Sequence, residues 1–288
     1  MKKLLFQLDT DTIPNTFDTV VAYDGGADHV TVHGGMTPKL VGKMVDGVIF
    51  TRAPKKKKNS AIFITGSDMG EGHALLEAVS NHFFDDFRVS VMLDSNGSNT
   101  TAAAAVAFAR QHIDLKGKKV VILAGTGPVG QRAGVMLAKE GAEVVLTSRR
   151  IERAQSACDT MARHFDVSLS AAAASDEHSI RKVLDGANLI FSTGAAGVQM
   201  LDEKQWQDLP ELSVIIDANA TPPLGINGIS MLDRGTSRHG KICYGALGFG
   251  GLKLEIHREC ISRLFEQNDH VFDALEIFAL AKEMTAAS

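Results

Sequence analysis

The stretch Val120-Val-Ile-Leu-Ala-Gly-Thr-Gly-Pro-Val-Gly130 constrains this chain more than any other. Its five apolar residues, Val120 to Ala124, predict a strand buried on both faces, as strands of parallel sheets are. Gly125, Gly127 and Gly130 then stand in G-x-G-x-x-G spacing, and a helical pattern runs from Arg132 to Lys139. Strand, glycine turn and helix in this order are the context that a dinucleotide fingerprint requires. Gly125 permits the tight turn, Gly127 lets the backbone approach a pyrophosphate, and Gly130 lets helix and strand pack closely. The helix N-terminus offers unpaired N–H groups and the positive end of its dipole. Gly125, Thr126, Gly127, Pro128, Val129 and Gly130 are therefore the expected diphosphate loop. A tight turn without a ligand is the alternative, and the agreement on both flanks counts against it.

The next strand selects the nucleotide. Glu143-Val-Val-Leu-Thr-Ser-Arg-Arg150 predicts a second buried strand that ends in a polar, basic cluster. A site for NAD places a carboxylate about 20 residues past the glycines, on the ribose 2′-OH. Ser148 lies 23 residues after Gly125, and Thr147, Ser148, Arg149 and Arg150 include no carboxylate. A hydroxyl and two guanidiniums suit a 2′-phosphate, which points to NADP. The alternative is that Arg149 and Arg150 merely open a polar, solvated helix.

Bulk properties narrow the rest. A length of 288 residues suggests about two domains. Hydrophobic content of 44% with 22% charged residues is ordinary for a soluble globular protein, and a net charge of −4 gives no reason to expect nucleic acid. No apolar run approaches the ~20 residues of a membrane span. Met1 to Asp9 is too short and too soon interrupted for a signal peptide and predicts a first strand instead. The three cysteines, Cys158, Cys243 and Cys260, are widely spaced without C-x-x-C and predict small apolar fillers in a reducing compartment. No metal site is expected, because the ten histidines show no paired helical spacing and no nearby cysteine.

Residues 1–110 alternate short apolar runs with helical stretches, which argues for a small α/β domain with a mostly parallel sheet. Strands are expected at Leu4–Leu8, Ala61–Thr65 and Arg88–Leu93, and helices from Thr37, with Pro38 in its first turn, and from Asp68 to Phe84. Lys55 to Lys58 predicts a solvated loop tip, or else a weak attractor for an anionic substrate tail. Asp94-Ser-Asn-Gly-Ser-Asn-Thr-Thr101 follows a strand and precedes a helix, where ligands of open α/β sheets bind. A cap needs one or two of these residues, so substrate contact is expected from Asp94, Ser95, Ser98, Asn99, Thr100 and Thr101.

Residues 111–250 predict the cofactor domain, a doubly wound Rossmann-type sheet, and residues 251–288 predict C-terminal helices that bridge back to the first domain. The loops after two of its strands, Thr193-Gly-Ala195 and Asp217 to Gly225 with Asn219, are expected on the cofactor side, although both could be plain turns. Lys241 to Gly248 reads as a last strand, and a helix starting at Gly250 puts Lys253 in its first turn, where a lysine opposes the dipole.

These residues together resemble the NADP-dependent methylene-tetrahydromethanopterin dehydrogenases of methylotrophic bacteria, and most of all the form that also accepts methylene-tetrahydrofolate. The likeness covers nearly the whole chain. It includes Phe17-Asp-Thr-Val-Val-Ala-Tyr-Asp-Gly-Gly-Ala-Asp28, Met92 to Thr101, Ala124 to Gly130, Pro222-Pro-Leu-Gly225 and Gly245-Ala-Leu-Gly-Phe-Gly-Gly-Leu-Lys253. The Lys55 to Lys58 run departs locally from that pattern. The resemblance implies a cytoplasmic homo-oligomer, a trimer in the folate-tolerant form, with a one-carbon carrier held between two domains. It also implies Phe17 and Asp18 as substrate-facing residues beside the Asp94–Thr101 cluster.

The implied reaction removes a hydride from a carbon bridging two nitrogens, whose lone pairs stabilise the resulting methenyl cation. No proton need move, so the absence of an acid–base signature fits. Lys253 would oppose developing positive charge and is expected to bind a pterin carbonyl or orient the ring, whereas Asp18 or Asp94 could favour the cation or anchor pterin amino groups. Two other readings stay open: a dehydrogenase/cyclohydrolase that activates water, and an NADP-binding sensor without turnover.

Overall fold

The computed structural model describes residues 1–286 and forms two compact units. One unit is Met1–Thr100 together with the chain from Leu254 onward; the other is Thr101–Lys253. In chain order the elements are β1 (Leu4–Asp9), α1 (Thr16–Asp24), β2 (His29–His33), α2 (Val41–Phe50), β3 (Ser60–Thr65), α3 (Met69–Asn81), β4 (Ser90–Leu93) and α4 (Ser98–Ala109). They continue with β5 (Lys119–Leu123), α5 (Pro128–Lys139), β6 (Glu143–Ser148), α6 (Ile151–Phe165), β7 (Ser170–Ala173), α7 (Glu177–Leu184), β8 (Leu189–Ser192) and β9 (Val214–Asp217). The last are β10 (Arg234–Arg238), β11 (Lys241–Gly245), α8 (Ala246–Arg263), β12 (Val271–Phe272) and α9 (Ala274–Ala286). No helix among the described residues is long and apolar enough to cross a membrane.

The first unit holds a five-stranded sheet in the order β12-β4-β3-β1-β2, all parallel. Its central strands are apolar because both faces are covered: all six residues of β3 are buried. Leu8, Ile62, Ile64, Val91 and Leu93 of the sheet pack with Val45 and Ile49 of α2 and Leu75 and Val79 of α3. The chain from Leu254 belongs to this unit. Phe272 pairs with Met92, and Gly25 abuts α8 so closely that a Cβ there would sit 2.6 Å from Ile261 Cβ.

The second unit holds a seven-stranded sheet in the order β10-β11-β9-β8-β5-β6-β7, with only β10 antiparallel. The chain winds outward from β5 through β6 and β7, then crosses back to β8 and continues to β9 and β11. This is the expected doubly wound fold, with its switch point between β5 and β8, where crevices for ligands form at the carboxyl ends. Val121, Leu123, Ile190 and Ile215 pack beneath Trp206, whose indole N–H donates to the Asn227 carbonyl at 2.9 Å.

Several local expectations change. Helix α2 starts at Val41 rather than at Thr37, because the Thr37 carbonyl accepts from both Leu40 N and Val41 N in a separate turn. Lys55 to Lys58 is no solvated tip throughout: residues 54–59 form a 3₁₀ turn, and Lys57 is fully buried. Its Nζ donates to the Ile49 carbonyl near the end of α2 and sits 3.8 Å from the Phe87 ring centroid, and desolvation pushes the amine below its usual value. Three strands were not legible: polar β2, exposed β10 and two-residue β12. The stretch Glu203 to Leu209, whose sequence predicts a helix, holds a 3₁₀ turn at Glu203–Gln205 instead.

Strand β11 ends at Gly245, and α8 begins at Ala246, four residues before Gly250. Gly245 and Gly248 serve close packing, since a Cβ on either would overlap the carbonyl oxygen of Ser230 or of Asp233. Lys253 consequently lies about two turns into α8. Lys253 therefore lies beyond the first turn and does not oppose the helix dipole there.

Candidate cofactor site

The turn after β5 is built for close backbone approach. Ala124 takes a left-handed φ of 51°, and its N–H donates to Thr147 Oγ1 at 3.1 Å, while Gly125 N donates to the Thr147 carbonyl at 3.0 Å. A Cβ at Gly130 would lie 2.6 Å from Gly125 Cα and 2.7 Å from Thr193 Oγ1, so α5 meets the turn only because both positions lack a side chain. Gly127 differs: a Cβ there would meet nothing within 4 Å. It caps α5 without any side-chain hydrogen bond, and Pro128 takes the first helical position. The first-turn amides of α5 thus receive no cap bond from a side chain, and an open glycine stands beside them. Residues Gly125 to Gly130 fit a dinucleotide diphosphate.

Strand β6 runs parallel beside β5, with Leu146 opposite Ile122. At its carboxyl end Ser148 is half-buried, and Arg149 and Arg150 are exposed. Arg150 caps α6 without a side-chain bond. No carboxylate stands among residues 147–150.

On the other side of the switch point, the loops after β8 and β9 interlock. Thr193 donates through N and Oγ1 to the Leu123 carbonyl, at 3.0 and 3.1 Å, tying the first loop to the glycine turn. Gly194 is half-buried and Ala195 exposed. Asn219 is 5% exposed, and its amide is engaged within the protein. Nδ2 donates to the carbonyls of Ala195 and Pro223 at 3.4 and 3.3 Å, and Oδ1 accepts from Thr221 N at 2.9 Å. Asp217, which sequence reasoning passed over, anchors this loop. Burial raises its carboxyl above the usual range, against the lowering effect of bonds from the Ile226 and Asn219 amides. A lone acid ending an apolar strand was the available signal.

In the first unit, the polar cluster winds β4 into α4. Asp94 is fully buried; Oδ1 accepts from Asn99 N and Thr100 N at 2.8 and 3.2 Å, and Oδ2 from Thr100 Oγ1 at 2.6 Å. Ser98 Oγ donates to the Ser95 carbonyl at 2.6 Å, and Asn99 Nδ2 to the Leu93 carbonyl at 2.7 Å. Ser95, Ser98, Asn99 and Thr100 are all fully buried, and the side chains of Ser98, Asn99 and Thr100 shape the backbone here, whereas Ser95 Oγ makes no hydrogen bond among the described residues. Thr101 and Lys253 are half-buried, Asp18 is buried in the first turn of α1, and Phe17 beside it is 44% exposed. His257 was not foreseen. Fully buried on α8, it places Nδ1 3.8 Å from Asp94 Oδ2 and its ring edge-on to Phe63 at 5.2 Å. Its position four residues after Lys253, one helical turn, was the only clue in the sequence.

A doubly wound sheet whose switch point carries an open glycine turn, an uncapped helix and a basic corner defines the dinucleotide-binding class of α/β protein. Comparison with known proteins is more specific. Residues 16–96 match the family model described as methylene-tetrahydromethanopterin dehydrogenase, N-terminal. The chain is 53% identical over 285 residues to Bifunctional protein MdtA of Methylorubrum extorquens, covering 98% of this chain and 99% of that one. It is 31% identical over 278 residues to the NAD(P)-dependent methylenetetrahydromethanopterin dehydrogenase of the same organism, covering 93% and 94%. The chain belongs to the methylene-tetrahydromethanopterin dehydrogenase family. Among solved structures, ligand-free 5-ketofructose reductase of Gluconobacter sp. strain CHM43 shares the fold, with a TM-score of 0.54, 13% identity and 99% of both chains covered.

Proposed function

We propose that this protein oxidises methylene-tetrahydromethanopterin, and also methylene-tetrahydrofolate, to the methenyl form with NADP. The observation that carries the cofactor choice is the end of β6: Ser148, Arg149 and Arg150 stand where an NAD site would place a carboxylate. Bound NADP would supply the hydride acceptor. The first-turn amides of α5 would hold its diphosphate, and Ser148 with the two guanidiniums its 2′-phosphate.

The carrier's own nitrogens stabilise the methenyl cation, so the protein need not move a proton. Its contribution is to hold the methylene carbon in line for transfer and to keep water from the cation. In the first unit, Phe17 keeps exposed surface that suits carrier contact. Asp94, Ser98, Asn99 and Thr100 support the same unit by fixing the backbone after β4, and Asp18 and Ser95, next in sequence to Phe17 and Asp94, are buried. Lys253 suits a pterin carbonyl, since an ammonium beside the methylene carbon would oppose the developing charge. Steady-state kinetics with both carriers and both nicotinamide cofactors test the reading. It expects turnover with both carriers and a kcat/KM that favours NADP; turnover with NAD alone would refute the assignment of the basic corner.

A further inference from the structure

Asp217 ends β9 opposite Ser192, the last residue of β8, and is 1% exposed. Its oxygens accept from Asn219 N at 3.1 Å and Ile226 N at 2.9 Å, and the Ser192 hydroxyl and Gly225 amide face the same carboxylate. The packing is tight enough to require a glycine: a Cβ at Gly225 would sit 2.5 Å from Asp217 Oδ1 and overlap Ser192 Oγ. Both ends of loop 218–226 are thereby fastened to one buried group.

The same knot takes in the loop after β8. Ala218 N donates to the Ser192 carbonyl at 3.0 Å, Asn219 Nδ2 to the Ala195 carbonyl at 3.4 Å, and Met200 N to the Gly225 carbonyl at 2.7 Å. Thr193 continues the chain of bonds to the Leu123 carbonyl, next to the glycine turn. Loops 193–201 and 218–226 thus form one body at the carboxyl ends of β8 and β9, on the ligand side of the sheet. Burying a carboxylate among neutral donors is costly unless they are well aimed. A carboxylate is the side chain that accepts at both oxygens, whereas an asparagine would turn an NH₂ group toward one of the amides.

We propose that Asp217 is a positioning residue: it locks these two loops into a rigid plate that holds the nicotinamide end of the dinucleotide still for hydride transfer. The kinetic part of the proposal rests on the function given above; the structural part does not.

Asp217→Asn tests both. In the cofactor-free protein, amide hydrogen exchange should rise in 193–201 and 218–226 while β5 and β6 stay protected. NADPH affinity should change little, because the diphosphate and 2′-phosphate contacts lie on the glycine turn and β6. The fluorescence of bound reduced nicotinamide should fall toward that of free NADPH. Turnover should drop about 10- to 100-fold, as slight misplacement of reacting atoms does. The primary deuterium isotope effect on kcat should rise as hydride transfer becomes limiting. Asn219→Ala, which removes the side-chain bonds to Ala195, Pro223 and Thr221 but leaves Asp217 in place, should show the same changes more weakly, and it serves if Asp217→Asn fails to fold. Unchanged exchange in the two loops, or loosened loops with normal turnover, isotope effect and nicotinamide fluorescence, would overturn the proposal. If wild-type protein oxidises neither carrier, the functional reading falls instead, and exchange and nicotinamide fluorescence still decide the role of Asp217.

Discussion

Gly127 and Gly130 belong to the same fingerprint, yet the structure assigns them opposite sensitivities. An alanine Cβ at 130 would sit 2.6 Å from Gly125 Cα, 2.7 Å from Thr193 Oγ1 and 2.8 Å from the Gly125 oxygen. Two of these neighbours are backbone atoms of a strained turn and cannot yield easily. Overpacking of this kind costs about 1–3 kcal/mol, and about 2–4 °C of Tm per kcal/mol for a domain of this size. Gly130→Ala should therefore lower the melting temperature of the cofactor-free protein by about 2–12 °C. At Gly127 the φ of −78° and ψ of 169° suit alanine, and the Cβ meets nothing within 4 Å. Gly127→Ala should change stability by no more than about 0.5 kcal/mol. Its methyl group would instead occupy the approach of a pyrophosphate. A displaced phosphate forfeits much of a charge-assisted bond of about 1.5–3 kcal/mol, which is about 10- to 100-fold in Kd. Thermal melts without cofactor and fluorescence titration with NADPH measure both effects. Gly127→Ala that binds NADPH as tightly as wild type would refute the placement of the diphosphate.

Three further outcomes are expected. Arg149→Ala should weaken NADP about tenfold or more and leave NAD almost unchanged, as loss of a charge-assisted bond to a 2′-phosphate requires; equal loss of both cofactors in kcat/KM would contradict this. Burial pushes the thiol of Cys158 to about 11 and that of Cys243 to about 12, and that of Cys260 well above its ordinary 9.0. None of the three should react with a thiol reagent at pH 8 until the protein is denatured. Asp233 gives a pH dependence: burial raises its carboxyl, but bonds from Arg238 at 2.6 and 2.9 Å prevail and hold it below 3.8. Its stabilising contribution is present above 3.8 and disappears as pH falls through the lowered value. Denaturant melts of Asp233→Asn should therefore lie below wild type at neutral pH, by no more than about 1 kcal/mol for a pair this exposed, and converge with it in acid.

The central strands of both sheets were legible because strands covered on both faces must be apolar: Val120 to Leu123, Leu189 to Phe191 and Ile62 to Ile64 stand out. Strand β2 did not, since His29, Thr31 and His33 interrupt Val30 and Val32 at a sheet edge. The glycine turn could be located residue by residue, because its chemistry demands a missing side chain at fixed spacing. Small polar residues are harder to interpret. Asp94 and Asn219 have the composition of ligand contacts, but the same groups that bind a ligand also bind backbone amides, and here they do the latter. Lys57 shows the converse: a charge run gave no hint that one of its members would cap α2 from inside the core. The start of α8 was misplaced because its glycines resemble a turn, whereas Gly248 is required by the nearby Asp233 carbonyl.

The most direct test of hydride transfer as the whole reaction is a single progress curve. Methylene-tetrahydromethanopterin and NADP are mixed with the protein, and methenyl product and NADPH are followed together by absorbance. A reaction that moves a hydride and activates no water, as proposed, requires the two to appear in equal amounts and methenyl product to accumulate. NADPH formed while methenyl product is consumed would mean that the protein also hydrolyses it, and no NADPH at all would remove the dehydrogenase assignment.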